Sequence, residues 1–283
     1  MIRLAIQSKG RLNEDSLHLL KDSGIDVDDA KRKFIGKASN FAMEVLYLRD
    51  DDIPGVVADG SADIGIVGYN EIAESSADVE IVRHLGFGKC RLSLAVPKGA
   101  DYQGTSWFEG KSIATSYPSV LRSFLQEEGI NAEIREIKGS VEIAPAAGIA
   151  EAIFDIVSSG GTLVSNGLKE VKTVLESEAV LVCRKDLDEE KLAILKSILF
   201  RFDSVIESRG KKYILMNLPS VNLDKALALL PSMRSPTVMP LAMDGWCSIH
   251  TVVDEATLWS TVEELKKIGA EGILILNVDK VID

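Results

Sequence analysis

Ala152-Ile153-Phe154-Asp155-Ile156-Val157-Ser158-Ser159-Gly160-Gly161-Thr162-Leu163 runs from an apolar stretch through a loop of small residues to a new apolar start. A short apolar run bounded by turn residues reads as a buried strand, and Leu163 as the beginning of a helix. Ser158 to Thr162 then offers hydroxyls and backbone N–H groups with no bulky side chain over them. Such a loop suits a phosphate monoester, which takes donors from a backbone nest or a helix N-terminus. Asp155, near the strand end, is placed to accept hydrogen bonds from sugar hydroxyls, and phosphate beside a diol describes a ribose 5-phosphate. The plainer reading, an ordinary loop, stays open on these residues alone. With no Gly-Lys-Ser/Thr pattern here, the stretch is not a nucleotide P-loop.

Strands and helices alternate on both sides of this segment. Arg3 to Ile6, Ala62 to Gly68 and Arg91 to Val96 read as strands, and Glu14 to Ser23 as a helix ended by Gly24. Beyond Pro97-Lys98-Gly99, Ser112 to Thr115 and Glu133 to Ile137 read as strands, with a helix over Ser119 to Glu128 closed by Gly129. Val180 to Cys183 is expected to carry the chain back into the first unit. The alternation favours a mostly parallel α/β architecture. The tail differs. Strands at Tyr213 to Asn217, Thr237 to Leu241, Ser248 to Val253 and Gly272 to Val278 enclose helices at Leu223 to Leu230 and Glu255 to Ile268. That is the βαββαβ order of a split ferredoxin-like unit.

The chain has 283 residues, enough for two or three compact units, with 46% apolar and 27% charged residues. A formal charge of −11 argues against a nucleic-acid-binding surface. A locally basic pocket for a small anion remains compatible with it. Met1 to Ile6 is too short an apolar run for a signal peptide, and no window approaches the roughly 18 apolar residues of a membrane helix. Cys90, Cys183 and Cys247 are odd in number and far apart, so neither a disulfide framework nor a zinc site is expected. A reduced cytoplasm is the expected location, with no membrane or nucleic-acid partner.

Extended backwards, the loop segment includes Gly139-Ser140-Val141-Glu142-Ile143-Ala144-Pro145 and Gly148-Ile149-Ala150. With Asp155 and the loop, this closely resembles the signature of the ATP phosphoribosyltransferases, whose loop binds phosphoribosyl diphosphate (PRPP). Lys9-Gly10-Arg11-Leu12, Arg49-Asp50-Asp51-Asp52-Ile53-Pro54, Ala62 to Gly68, Gly86 to Leu94 and Ala114-Thr115-Ser116-Tyr117-Pro118 resemble further blocks of that family. Ser235-Pro236-Thr237-Val238-Met239-Pro240-Leu241 is similar to the regulatory tail of its long form. The resemblance runs over nearly the whole chain. Lys33 and Glu151 stand where many relatives have Arg and Asp. Both keep their charge, although Lys lacks the planar fork of Arg.

The resemblance implies a two-lobed catalytic part similar to periplasmic binding proteins, followed by an ACT-like, ferredoxin-like regulatory domain. Lobe I is expected at 1–96, completed by about 180–210, lobe II at 97–179, and the regulatory domain at 213–283. The implied reaction, the first step of histidine biosynthesis, joins C1 of PRPP to N1 of the adenine of ATP and releases pyrophosphate. Mg2+ enters with the pyrophosphate group, and no protein side chain is singled out as its ligand. The resemblance assigns Ser158, Ser159, Gly160, Gly161 and Thr162 to the 5-phosphate, Asp155 to the ribose hydroxyls, and Glu142 to the PRPP side of the site. Lys9, Gly10 and Arg11, with Arg49 and Tyr117, are implied for pyrophosphate or ATP. No general base is expected, because adenine N1 carries no proton. Asn217 and Thr237 are the implied contacts for histidine, a feedback inhibitor. A homo-oligomer, dimer to hexamer, is what the family suggests. The rival expectation is a receptor or sensor of the same two-lobed fold that binds without chemistry.

Overall fold

The computed structural model describes residues 1–28, 34–230 and 235–282, so Lys33 lies outside the described residues. The chain forms two compact units, Met1–Leu199 and Phe200–Asp283. The first unit is built on two sheets, each with its own buried core.

The first sheet collects β1 (Ile2–Gln7), β2 (Ile35–Lys37), β3 (Met43–Leu48), β4 (Ile64–Gly68), β5 (Glu80–His84) and β11 (Ala179–Cys183) in the order β2-β3-β1-β4-β11-β5. Helices α1 (Arg11–Asp22), α2 (Ile53–Ala58) and α3 (Tyr69–Ser75) connect its strands. Helix α1 stops because Gly24 takes a left-handed φ of 69°, which lets Ile25 N–H donate to the Leu20 carbonyl. At its other end α1 begins at Arg11, earlier than apolar spacing suggests. Gly10 before it adopts φ 92° and ψ −177°, a conformation open essentially to glycine alone.

The second sheet, order β10-β6-β9-β7-β8, holds β6 (Cys90–Pro97), β7 (Ser112–Thr115), β8 (Glu133–Glu136), β9 (Ala152–Val157) and β10 (Leu168–Ser177). Helix α4 (Pro118–Glu128) opens with proline at its first position and closes on Gly129 at φ 68°. A single turn, α5 (Gly161–Ser165), follows β9. Leu92, Leu94, Phe108, Ile113 and Phe154 fill this core, each fully buried. Burying such side chains contributes about 1.5–3 kcal/mol apiece.

Two expectations change here. The sheets are mixed rather than mostly parallel, since β11 pairs antiparallel with β4 and β5, and β6 antiparallel with β9 and β10. Strand β6 also belongs to the second sheet, so the chain leaves the first lobe after His84 and not at residue 96. An apolar run looks the same in either sheet; the pairing partners decide its membership. Ala179 N–H bonds to Phe87 O and Leu85 N–H to Ala179 O, so the outgoing and returning segments run side by side between the sheets.

Helix α6 (Glu189–Ser208) leads into the second unit. There β12 (Lys211–Pro219), α7 (Leu223–Leu229), β13 (Thr237–Pro240), β14 (Trp246–Asp254), α8 (Glu255–Lys267) and β15 (Glu271–Asn277) follow the βαββαβ order. The sheet order is β13-β14-β12-β15, all antiparallel. Ile214, Met216 and Leu218 point to the helix-covered face, where Leu258 and Leu265 meet them. The unit begins at Phe200 rather than 213, because the last turns of α6 pack with it: Ser208 Oγ donates to Asp279 O at 2.9 Å.

Candidate active site

The C-terminal ends of parallel strands are where α/β sheets bind ligands. A cleft of about 460 Å3 opens there, within the 300–1,000 Å3 range usual for ligand sites. From the first lobe come Gln7, Gly10 and Arg11 after β1, and Asn70 and Glu71 after β4. From the second come Ile156 and Ser158, at the end of β9.

The loop after β9 carries a set of free donors. Among the described residues, no acceptor outside the helix takes the backbone N–H groups of Ser159, Gly160, Gly161, Thr162 or Leu163. Gly160 turns the chain with φ 79°, so a side chain there would be strained. Arg91 secures the loop base. Its guanidinium donates to Ser158 O at 3.1 Å and forms two 2.6 Å bonds with Glu170. Asp155 lies one strand position before Ile156, opposite Ser93, and is half-buried. Burial raises its carboxyl to about 6, with the charge of Glu142 adding to the shift.

Across the cleft, α1 presents its N-terminus with no side-chain cap on it. The first-turn N–H groups of a helix attract anions through unsatisfied donors and the helix dipole. Arg11 sits at that turn and Lys9 is exposed just before it.

Of the expected site residues, Gly10, Arg11 and Ser158 line the cleft, whereas Lys9, Glu142, Asp155 and Ser159 to Thr162 lie outside its lining, as do Arg49 and Tyr117. Arg49 is exposed and makes a two-pronged pair with Asp51, at 2.9 and 2.8 Å. Tyr117 is 9% exposed, and its ring belongs to the second lobe's core. Its hydroxyl donates to Glu71 Oε1 at 3.0 Å and accepts from Asn70 Nδ2 at 3.2 Å. It acts on the cleft through Glu71 instead of touching it. The local sequence Thr115-Ser116-Tyr117-Pro118 does not reveal a hydroxyl partner 46 residues away.

Sequence reasoning passed over Asn70, Glu71, Glu74 and Arg91. The signal available was Asn70-Glu71, one residue beyond a strand that ends in Gly68, a position favoured for ligand contacts. Glu71 is 8% exposed and burial raises its carboxyl to about 7. Asn70 is oriented by Ser177, whose Oγ donates to Asn70 Oδ1 at 2.7 Å. Asn70 Nδ2 is thereby turned to donate to Glu71 Oε1 at 2.7 Å.

A larger cavity, about 690 Å3, lies at the opposite, N-terminal ends of β7 and β8. Its cations are engaged: Arg135 pairs with Glu133 at 3.0 Å, and Lys111 lies 4.6 Å over the Trp107 ring. No free donor set comparable to the β9 loop is found there among the described residues.

In the second unit, Asn217 faces Ser248 across β12 and β14, while Thr237 faces His250 across β13 and β14. The two share the sheet face opposite the helices but stand two strands apart. Ser248 Oγ and the Tyr213 hydroxyl hold the His250 ring between them, at 3.1 and 3.0 Å.

Two α/β lobes joined by paired crossing segments, with unpartnered N–H donors on both walls of the cleft, define a two-lobed binding fold. The chain belongs to the ATP phosphoribosyltransferase family. That family's model matches residues 49–204, and the model of the HisG C-terminal domain matches 208–280. ATP phosphoribosyltransferases of Bacteroides thetaiotaomicron and Bacteroides fragilis are 55% and 56% identical over 282 residues, covering 100% of each chain. That of Cytophaga hutchinsonii is 51% identical, covering 100% of this chain and 99% of its own. Among solved structures, the ATP phosphoribosyl transferase (HisG:HisZ) complex from Thermotoga maritima matches with a TM-score of 0.64 at 29% identity. The match covers 73% of this chain and 98% of that one. A substrate-binding protein of an amino acid ABC transporter shares the fold alone, with a TM-score of 0.50 at 11% identity, covering 73% of this chain and 93% of that one.

Proposed function

We infer that this protein transfers the 5-phosphoribosyl group of PRPP to N1 of ATP, releasing pyrophosphate and opening histidine biosynthesis. Full-length identity of 55% to ATP phosphoribosyltransferases carries the reading. The free amides of the β9 loop facing an uncapped helix across one cleft support it. In this reading the 5-phosphate rests on Ser158 to Thr162, and Asp155 and Glu142 hold the ribose hydroxyls. Lys9, Gly10 and Arg11 receive pyrophosphate or triphosphate oxygens across the cleft. As pyrophosphate departs, negative charge grows where cationic and N–H donors already point, which favours the transition state. Two lobes closing on two substrates supply alignment. Magnesium arrives as part of the PRPP and pyrophosphate it binds, the usual mode for this ion. Arg49, paired with Asp51 on the surface, joins the site only by exchanging that partner for substrate.

The receptor reading is set aside. The likeness to transport proteins is one of fold at 11% identity, whereas the enzymatic relatives match end to end.

Histidine is the proposed inhibitor, bound on the second unit near Asn217 and Thr237, with His250 and Ser248 between them. We further propose a homo-oligomer, dimer to hexamer, acting in the cytoplasm. No helix among the described residues is long and apolar enough to cross a membrane. Pyrophosphate release that stops when either ATP or PRPP is omitted tests the reading, and release from PRPP alone at the full rate would refute it.

A further inference from the structure

We propose that Glu71, at the C-terminal end of β4 and facing the PRPP loop across the cleft, accepts the exocyclic-amine proton that adenine sheds once its N1 is ribosylated. The inference rests on the phosphoribosyl transfer inferred above. When the N1 lone pair forms the N1–C1 bond, the C1–O bond to pyrophosphate breaks and its electron pair leaves with pyrophosphate. The adenine ring is left with a positive charge shared between N1 and N6, which makes an N6–H acidic. Transfer of that proton to a carboxylate gives a neutral imine and a carboxylic acid. The acid returns the proton to water as product leaves. The nucleophile needs no base, but the product does.

Glu71 suits this task in three ways. It lines the cleft with Ile156 and Ser158 of the opposite lobe. Its Oε1 holds the hydrogen bonds from Tyr117 and Asn70, while Oε2 receives none among the described residues. No cation pairs with it among those residues either. The titratable groups that bear on it are Asp50 and Asp51 after β3, Glu74 on its own helix, Cys90 on β6 and Tyr117 before α4, and the cleft it lines also holds Arg11 and Asp15 of α1 and Lys89 before β6. A buried carboxylate near other acids and without an ion-pair partner is destabilising and marks a candidate functional group. Burial holds it at about 7, where an acceptor works best near neutral pH. Tyr117 is pushed well above its usual range by burial and by Glu71, so it stays protonated and keeps donating.

The test compares wild type, Glu71→Gln and Tyr117→Phe in steady-state pyrophosphate release between pH 5.5 and 9. Glutamine keeps an acceptor for Tyr117 and Asn70 but takes no proton. Loss of proton transfer should lower kcat of Glu71→Gln by about 100-fold or more, with both KM values within about threefold of wild type. The acid limb of the wild-type kcat profile near pH 7 should vanish with it. Tyr117→Phe removes a hydrogen bond that lowers the Glu71 pKa, so its acid limb should move to higher pH. An active wild type with Glu71→Gln kcat within about threefold and the limb intact overturns the inference alone. If Glu71→Gln does not fold, an unmoved limb in Tyr117→Phe overturns it instead. A wild type that releases no pyrophosphate overturns the functional reading and the inference together.

Discussion

The Glu74 carboxylate accepts hydrogen bonds from the backbone N–H of Ser119, at 2.9 and 3.1 Å, so an acid of the first lobe caps a helix of the second. Val120 N–H adds a third bond at 3.0 Å. One turn earlier on α3, Glu71 and Asn70 meet Tyr117. A single short helix therefore latches the two lobes beside the cleft, through a capping carboxylate and a buried hydrogen-bond network.

Glu74→Ala should unlatch this contact. Removing a capping acceptor costs about 0.5–2 kcal/mol, so the urea midpoint should fall while the secondary structure stays intact. An unchanged midpoint would show that α4 needs no cap from the first lobe.

The loop after β9 has its own test. Thr162→Val or Asp155→Ala should raise the KM for PRPP strongly and the KM for ATP much less. Gly160→Ala forces a left-handed φ on a residue with a Cβ, at about 1–2 kcal/mol. If the strain is relieved by reshaping the loop, the KM for PRPP should rise by about tenfold for each 1.4 kcal/mol. Unchanged kinetics in both Thr162→Val and Asp155→Ala would remove these residues from the site.

Stability should depend on pH in a stated direction. Glu71 and Asp155 are raised from 4.5 to about 7 and from 3.8 to about 6 on folding. Such groups contribute stability that is fully present below their unfolded pKa and lost as pH rises through the folded one. Glutamine at position 71 cannot ionise. Relative to wild type, Glu71→Gln should therefore gain stability between pH 4.5 and 8, read from denaturant midpoints across that range. A difference that stays flat, or moves against the variant, would contradict the buried-carboxylate account.

For the second unit, millimolar histidine should inhibit the full-length protein. Asn217→Ala and Thr237→Val should each weaken that inhibition while leaving uninhibited turnover within about twofold, since loss of one hydrogen bond is about 1 kcal/mol. Identical inhibition curves for both variants would move the effector site elsewhere.

Much of this fold is written locally in the chain. Strands Ser112–Thr115 and Ala152–Val157 have the limits their apolar runs suggest, and the tail keeps its βαββαβ order. Strand β10 escaped notice because its Lys, Glu and Thr residues sit half-exposed on a sheet edge, where no apolar alternation is needed. The sheet membership of β6 is a matter of pairing, which no local pattern encodes. The loop after β9 could be read because its donors are consecutive. The Glu71–Tyr117 contact could not, since it joins two lobes across 46 residues and leaves no periodic trace.

The most direct measurement is incubation with PRPP, ATP and magnesium, following both released pyrophosphate and the mass of the nucleotide product. One pyrophosphate should form per nucleotide enlarged by a phosphoribosyl group, and only when both substrates are present. A folded protein that binds PRPP yet yields neither product would contradict it.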